Sequence, residues 1–280
     1  MNLVVCGCSW SSRDRNSPGV EFGQLLANKY NFNYHNIAVV SASNFVIRLQ
    51  IDYAIKNLNP DLIIINWTSP ARIEWNYSNK KYNPLSGLKD VSYVSSLESP
   101  DNKFHPEGSN IEPALAFSTF QSILNEDLSA NFEDVIETYP GLSQTLTKET
   151  WQSFRNYYVN LYDTESEFHK QVYTVQSAVQ ELQSKDINFL MSPNTLTDFQ
   201  HLQIFDKDKR PLKNEFNTMF DFIPTKNIIQ GVASMLAEVD NELYGDYANN
   251  PGRLLSSHIS PDAHKVYAKL LESSINNLLV

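Results

Sequence analysis

The run Leu3-Val4-Val5-Cys6 breaks at Gly7 and delivers Ser9 within a dozen residues of the start. Near the other end, Ser257-His258-Ile259-Ser260-Pro261 places a histidine just ahead of the last helical pattern. A serine hydroxyl is a weak nucleophile until an adjacent base takes its proton, and an imidazole is the usual base for that step. Ser9 and His258 are therefore a candidate nucleophile and base. The stretch Trp67-Thr68-Ser69-Pro70-Ala71-Arg72-Ile73-Glu74-Trp75 is the most distinctive polar and aromatic run. In it, Arg72 can pair with Glu74. Trp67 and Trp75 have two readings, as the wall of a pocket or a stack on a sugar ring, or as residues that pack the insertion onto the core.

Positioning such residues takes a scaffold, and the hydrophobic pattern supplies one. Leu3–Cys6, Tyr34–Val40, Asp61–Trp67 and Ile187–Met191 read as strands. The third is a continuous β-branched run introduced by Pro60, which indicates burial on both faces, as in a parallel sheet. Helical periodicity covers Val20–Tyr30, Ser43–Leu58 with Ser43 or Asn44 as N-cap, Glu165–Lys185, Thr225–Leu236 and Pro261–Leu279. Between about 76 and 163 the rhythm breaks. Tyr-, Ser- and Pro-rich loops are followed by helical patterns at 113–129 and 151–162, which reads as an insertion or cap. Strand–helix alternation predicts one α/β domain over 1–280, a three-layer α/β/α sandwich with a mostly parallel, flavodoxin-like sheet. In such a sheet the site lies beyond the carboxyl ends of the strands. Ser9, Ser41, Ser69 and Asn194 each follow a predicted strand and converge on that edge.

Composition narrows the partners. The 280-residue chain carries a formal net charge of −10, which argues against a nucleic-acid backbone as partner. No apolar run is long enough to span a bilayer, and no signal-peptide pattern opens the sequence, so a cytoplasmic or virion-associated protein is expected. Cys6 and Cys8 are the two cysteines, and their spacing along a strand favours free thiols. Two thiols without further ligands make no metal site, and no metal or organic cofactor is expected.

Four blocks of the chain together resemble the SGNH (GDSL-like) hydrolase superfamily. Gly7-Cys8-Ser9 matches its Gly-Asp-Ser motif at glycine and serine. Asn36-Ile37-Ala38-Val39-Val40-Ser41-Ala42-Ser43 follows its Asn-x-Gly-x-x-Gly-Ala-Ser block with both glycines replaced. Ile65-Asn66-Trp67-Thr68-Ser69-Pro70 stands where the family has a strand ending in Gly-x-Asn-Asp. Leu255-Ser256-Ser257-His258-Ile259-Ser260 matches Asp-x-x-His-Pro-Ser at the histidine and the last serine, and His264 matches a Gly-His of the following helix. The likeness leaves out the insertion. It resembles most the divergent bacteriophage-type members, which carry similar Gly-Cys-Ser and Trp-Thr-Ser-Pro-x-Arg signatures.

The resemblance implies an SGNH fold with Ser9 as nucleophile and His258 as base. It also implies an oxyanion hole from the Ser9 and Ser41 backbone N–H groups and from Ser69 in the asparagine's place. Asn66, Trp67, Arg72 and Asn194 are candidates for a substitute donor or the pocket. Leu255 occupies the usual acid's place; some members of the family resemble a dyad in which a backbone carbonyl takes that role, and Ser256, Asp262 or an insertion residue are the other candidates to orient the imidazole. The activity implied is removal of an O-acyl group, acetyl on a carbohydrate, from a small-molecule or glycan ester. The rival expectation is a catalytically degenerate SGNH-fold protein that binds carbohydrate or builds a phage particle.

Overall fold

A computed structural model describes residues 1–8, 11, 21–38, 42–68, 75–76, 111–112, 129–138, 147–192, 222–229 and 261–279. The element order begins with β1 (Asn2–Gly7), α1 (Phe22–Tyr30), β2 (Asn33–Asn36), α2 (Asn44–Asn57) and β3 (Leu62–Asn66). A two-residue antiparallel ladder, β4 (Trp75–Asn76) with β5 (Ile111–Glu112), follows. Then come α3 (Phe132–Thr138), α4 (Lys148–Asn160), α5 (Thr164–Ser184), β6 (Asn188–Ser192), a 3₁₀ turn (Thr225–Asn227) and α6 (Pro261–Leu278).

Four strands form one sheet in the order β2-β1-β3-β6, and every neighbouring pair is parallel. This order, with the first strand beside both the second and the third, is the flavodoxin-like arrangement. Side chains alternate across a strand, so each strand feeds two cores. Val4, Cys6, Ile63, Ile65, Phe189 and Met191 face α2 and α5. Leu3, Val5, Leu62, Ile64 and Leu190 face α1 and α6. The sandwich therefore has three layers, as the strand–helix alternation implied. β3 is buried at all five positions, and enclosing each Leu or Ile there contributes about 1.5–3 kcal/mol.

The helices start where the sequence supplies caps. Ser43 Oγ accepts from the Val46 N–H at 3.2 Å, so the first of the two candidate caps serves α2. Thr147 caps α4 and Asp163 caps α5 in the same way. On α1, Gly23 is required by close approach, because a Cβ there would lie 2.5 Å from the Tyr34 hydroxyl oxygen. Arg48 of α2 ties α5 to it, bonding Glu181 at 2.6 Å and Ser177 at 3.0 Å.

Three expectations change. β2 ends at Asn36 rather than Val40, because Ala38 N–H turns back to Asn36 Oδ1 at 3.0 Å. The helix expected over 225–236 is, in its described part, a 3₁₀ turn followed by extended chain. Ile228 bridges Met191 in parallel, and Ile229 N–H donates to the Met191 carbonyl at 2.9 Å. The β-branched pair thus lies beside β6, on the side away from β3. Within the inserted stretch, a short helix over Phe132–Thr138 was not anticipated, and α4 begins at Lys148 rather than Trp151. Ala130, Val135, Trp151, Phe154, Tyr158 and Tyr162 form a separate, mostly aromatic cluster here. The helical pattern at 113–129 falls almost entirely outside the described residues.

Candidate functional site

β1 and β3 run side by side and end together, with Gly7 opposite Asn66. This carboxyl edge is where a doubly wound sheet presents its site. Ser9, Ser41, Ser69, Arg72, Asn194, Leu255 and His258 lie outside the described residues. The edge that surrounds them in the sequence is described in detail.

Gly7 is the first constraint. A Cβ at this position would lie 2.6 Å from Ser11 Oγ, 2.9 Å from Ser11 Cβ and 3.2 Å from the Asn66 carbonyl oxygen. The glycine exists so that Ser11 can fold back over the strand end. Ser11 N–H donates to the Cys8 carbonyl at 3.0 Å, closing the segment that contains Ser9 in the sequence.

Gly7 has a second need. Ile37 N–H donates to the Val5 carbonyl, so Val5 points its backbone groups toward the β2 side. Two residues on, Gly7 points the same way, where β2 has already ended. The side-chain amide of Gln50 takes the missing strand's place. Its Oε1 accepts from Gly7 N–H at 2.7 Å, and its Nε2 donates to the Gly7 carbonyl at 3.1 Å. Asn44 does the same for β3, accepting from Thr68 N–H at 2.7 Å and donating to the Thr68 carbonyl at 3.0 Å.

Side chains then join across the edge. Asn66 Nδ2 donates to Ser11 Oγ at 2.6 Å, and Tyr267 of α6 donates its hydroxyl proton to Asn66 Oδ1 at 2.6 Å. Tyr267 is also hydrogen-bonded to Ser192 at the end of β6. Asn36 Nδ2 donates to the Ser11 carbonyl at 2.7 Å. Ser11, Asn36, Asn66, Ser192 and Tyr267 are all buried. Burial pushes the Tyr267 phenol well above its ordinary range, against the opposing effect of its bonds to Ser192 and Asn66. It stays protonated and so remains a donor. Burial likewise pushes the Cys6 thiol up, and both cysteines are free, as their spacing suggested.

Among the predicted site residues, Asn66 is brought to this edge as the last residue of β3. One Nδ2 hydrogen serves Ser11, which leaves the second for another acceptor. Trp67 lies in the core between the sheet and α2 and α5. It is 2% exposed, and its indole N–H donates to Met191 Sδ at 3.4 Å inside the core, so it offers no face to a sugar. His264 is buried on α6, where Nδ1 accepts from Phe22 N–H at 3.3 Å and the ring stacks on Phe22 at 5.9 Å. Asp262, a candidate substitute acid, is exposed and pairs with Lys265 at 2.9 Å. Among the described residues no group of His, Cys, Asp and Glu could hold a metal ion. No described helix is long and apolar enough to cross a membrane.

The sequence reading missed Ser11, Gln50 and Tyr267. A signal existed for Gln50, which interrupts the apolar stripe of Ile47, Ile51 and Ala54 on α2. A polar residue at a core position must have buried partners.

No protein-family model matches the chain, and no curated protein matches it significantly. Several solved structures align with the chain, two of which follow. An acetyl xylan esterase, AlAXEase, aligns over 98% of this chain and 100% of its own, with 12% identity and a TM-score of 0.43. A G-D-S-L family protein from Desulfitobacterium hafniense DCB-2 aligns over 79% of this chain and 95% of its own, with 13% identity and a TM-score of 0.24. Likeness at this level carries no argument about activity, and the architecture rests on the strand order and the two helical layers.

Proposed function

We propose that this protein is a serine ester hydrolase of the SGNH type, removing an O-acyl group from a small-molecule or glycan ester, with acetyl on a carbohydrate as the substrate class. Ser9 attacks the ester carbonyl while His258 takes its proton, and the same imidazole returns that proton to the departing alcohol. Water activated by His258 then releases the acid from the acyl-enzyme. The oxyanion is met by the backbone N–H groups of Ser9 and Ser41 with the Ser69 hydroxyl.

The observation that supports this reading is the buried polar network fixed on Gly7 and Ser11, which flank Ser9 in the sequence, at the carboxyl edge of the parallel sheet. Immobilising a segment through so many buried polar side chains is expensive. It makes sense where the segment carries a group whose position must be held, and Ser9 is the nucleophile candidate in that segment.

Hydrolysis of p-nitrophenyl acetate by wild type and by Ser9→Ala tests it. The expected outcome is a fall in kcat/KM of about 10³-fold or more in the variant. Equal rates would overturn the reading and favour the rival one, a non-catalytic protein on the same fold.

A further inference from the structure

Four hydroxyl and amide groups run in a line across the carboxyl edge: Ser192 on β6, Tyr267 on α6, Asn66 on β3 and Ser11 beyond β1. β1, β3 and β6 are already joined by their backbone ladders. What the line adds is a link between two places that the sheet does not connect. One is the short segment Cys8–Ser11, closed by the Ser11 N–H to Cys8 carbonyl bond. The other is α6, which starts at Pro261, three residues after His258.

We propose that Tyr267, acting through Asn66 and Ser11, is a positioning residue that holds the Ser9 segment in register with the helix following His258. The proposal rests on the reading of Ser9 and His258 as nucleophile and base.

Four observations support it. Tyr267 lies 3% exposed, with its ring edge on Phe22 at 4.8 Å, so its hydroxyl has little freedom to seek another acceptor. The Asn66 amide is held at both ends, by the phenol on Oδ1 and by Ser11 on Nδ2, so moving either neighbour moves the other. Gly7 allows Ser11 to sit against the strand end, where a Cβ would displace it. His264, one turn before Tyr267, binds Phe22 N–H, so α6 is fixed at two successive levels.

The test uses the full chain with three substitutions. Tyr267→Phe removes the hydroxyl and keeps the ring. Ser11→Ala cuts the line at its other end. Tyr30→Phe is the control, because its hydroxyl also reaches α6, bonding Asn276 Oδ1 at 2.9 Å on the exposed side. Amide hydrogen exchange is read on the peptide containing residues 8–11, and kcat and KM are read on p-nitrophenyl acetate. Tyr267→Phe and Ser11→Ala are expected to speed exchange in that peptide about tenfold and to lower kcat about tenfold or more. KM should stay within about twofold, because ester binding is not what the line positions. The double variant should fall no further than the worse single one, since both cut the same line. Tyr30→Phe should change neither reading.

Unchanged exchange in Tyr267→Phe would overturn the proposal. So would an equal loosening in Tyr30→Phe, or a kcat within twofold of wild type despite faster exchange. A wild type inert on the ester refutes the Ser9 reading instead. The anchoring of residues 8–11 by Tyr267 is then decided by the exchange arm alone.

Discussion

The two ends of the central strands are tied down by the same kind of chemistry in opposite settings. At the amino end, Asn2 N–H donates to Asp61 Oδ2 at 2.6 Å, Asn2 Nδ2 reaches the Asn59 carbonyl at 3.0 Å, and Asn33 Nδ2 reaches Asn2 Oδ1 at 3.1 Å. All three bonds are exposed. At the carboxyl end, the bonds made by Gln50, Asn36, Asn66 and Tyr267 are all buried. An exposed bond exchanges with water at little net cost, whereas a buried group that loses its partner bears the full desolvation penalty. The amino end only needs to be wet. The carboxyl end must be complete.

The largest expected effect comes from breaking the buried end. Gln50→Leu keeps the side chain's bulk but deprives both the N–H and the carbonyl of Gly7 of their side-chain partner. Two buried groups left unpaired at about 1–3 kcal/mol each should lower the urea midpoint strongly. Denaturant unfolding of wild type and variant measures this. A change under about 1 kcal/mol would mean that water already reaches Gly7, and the contrast between the two ends would collapse.

The matching cut at the other end is Asn2→Ala, which removes the side-chain bonds to Leu58, Asn59 and Asn33. Despite the larger number of bonds, a loss of about 1 kcal/mol or less is expected, since the bonds to Asn59 and Asn33 are exposed and that to the Leu58 carbonyl is only part-buried. The same unfolding experiment ranks the two variants directly. Equal losses would show that position in the sheet, not burial, sets the cost.

The contrast also explains what could be read from sequence. Three of the four strands were legible because Leu3–Cys6, Leu62–Ile65 and Phe189–Met191 are continuous apolar runs, which have few places to go except a two-sided parallel sheet, whereas β2, Asn33–Asn36, is mostly polar and half-buried. Ser43 and the alternation of elements fixed the helical layers for equally local reasons. The network at the carboxyl edge is not local. Asn66 meets Tyr267 across 201 residues of sequence, and Tyr267 sits on the same stripe of α6 as Leu271 and Ile275, where an aromatic reads as ordinary core. Trp67 illustrates the same limit from the other side: its neighbours in sequence are polar, yet the fold turns it into the core. In the described part of the helix expected at 225–236, residues 225–229, periodicity did not sense that β6 recruits Ile228 and Ile229 alongside it.

The smallest effect is electrostatic and belongs to the wetter end. His35, on β2 and opposite Val4 of β1, is half-buried, and burial lowers its pKa from the usual 6.5. Its Nε2 lies 3.0 Å from Asn33 Nδ2, an amide donor that binds only the neutral ring. Between the lowered folded value and about 6.5, the unfolded chain binds more proton than the folded one. Stability is therefore full above about 6.5 and is lost as pH falls through the folded value. Much of the ring meets solvent, so the loss is expected to be smaller than that of Asn2→Ala. The urea midpoint of wild type should drop more between pH 8 and pH 5 than that of His35→Gln, which cannot take up the proton. The difference between the two proteins isolates this ring from the other five histidines of the sequence. If the two midpoints fell in parallel, His35 would carry no linkage, and the amino end would be insensitive to charge as well as to truncation.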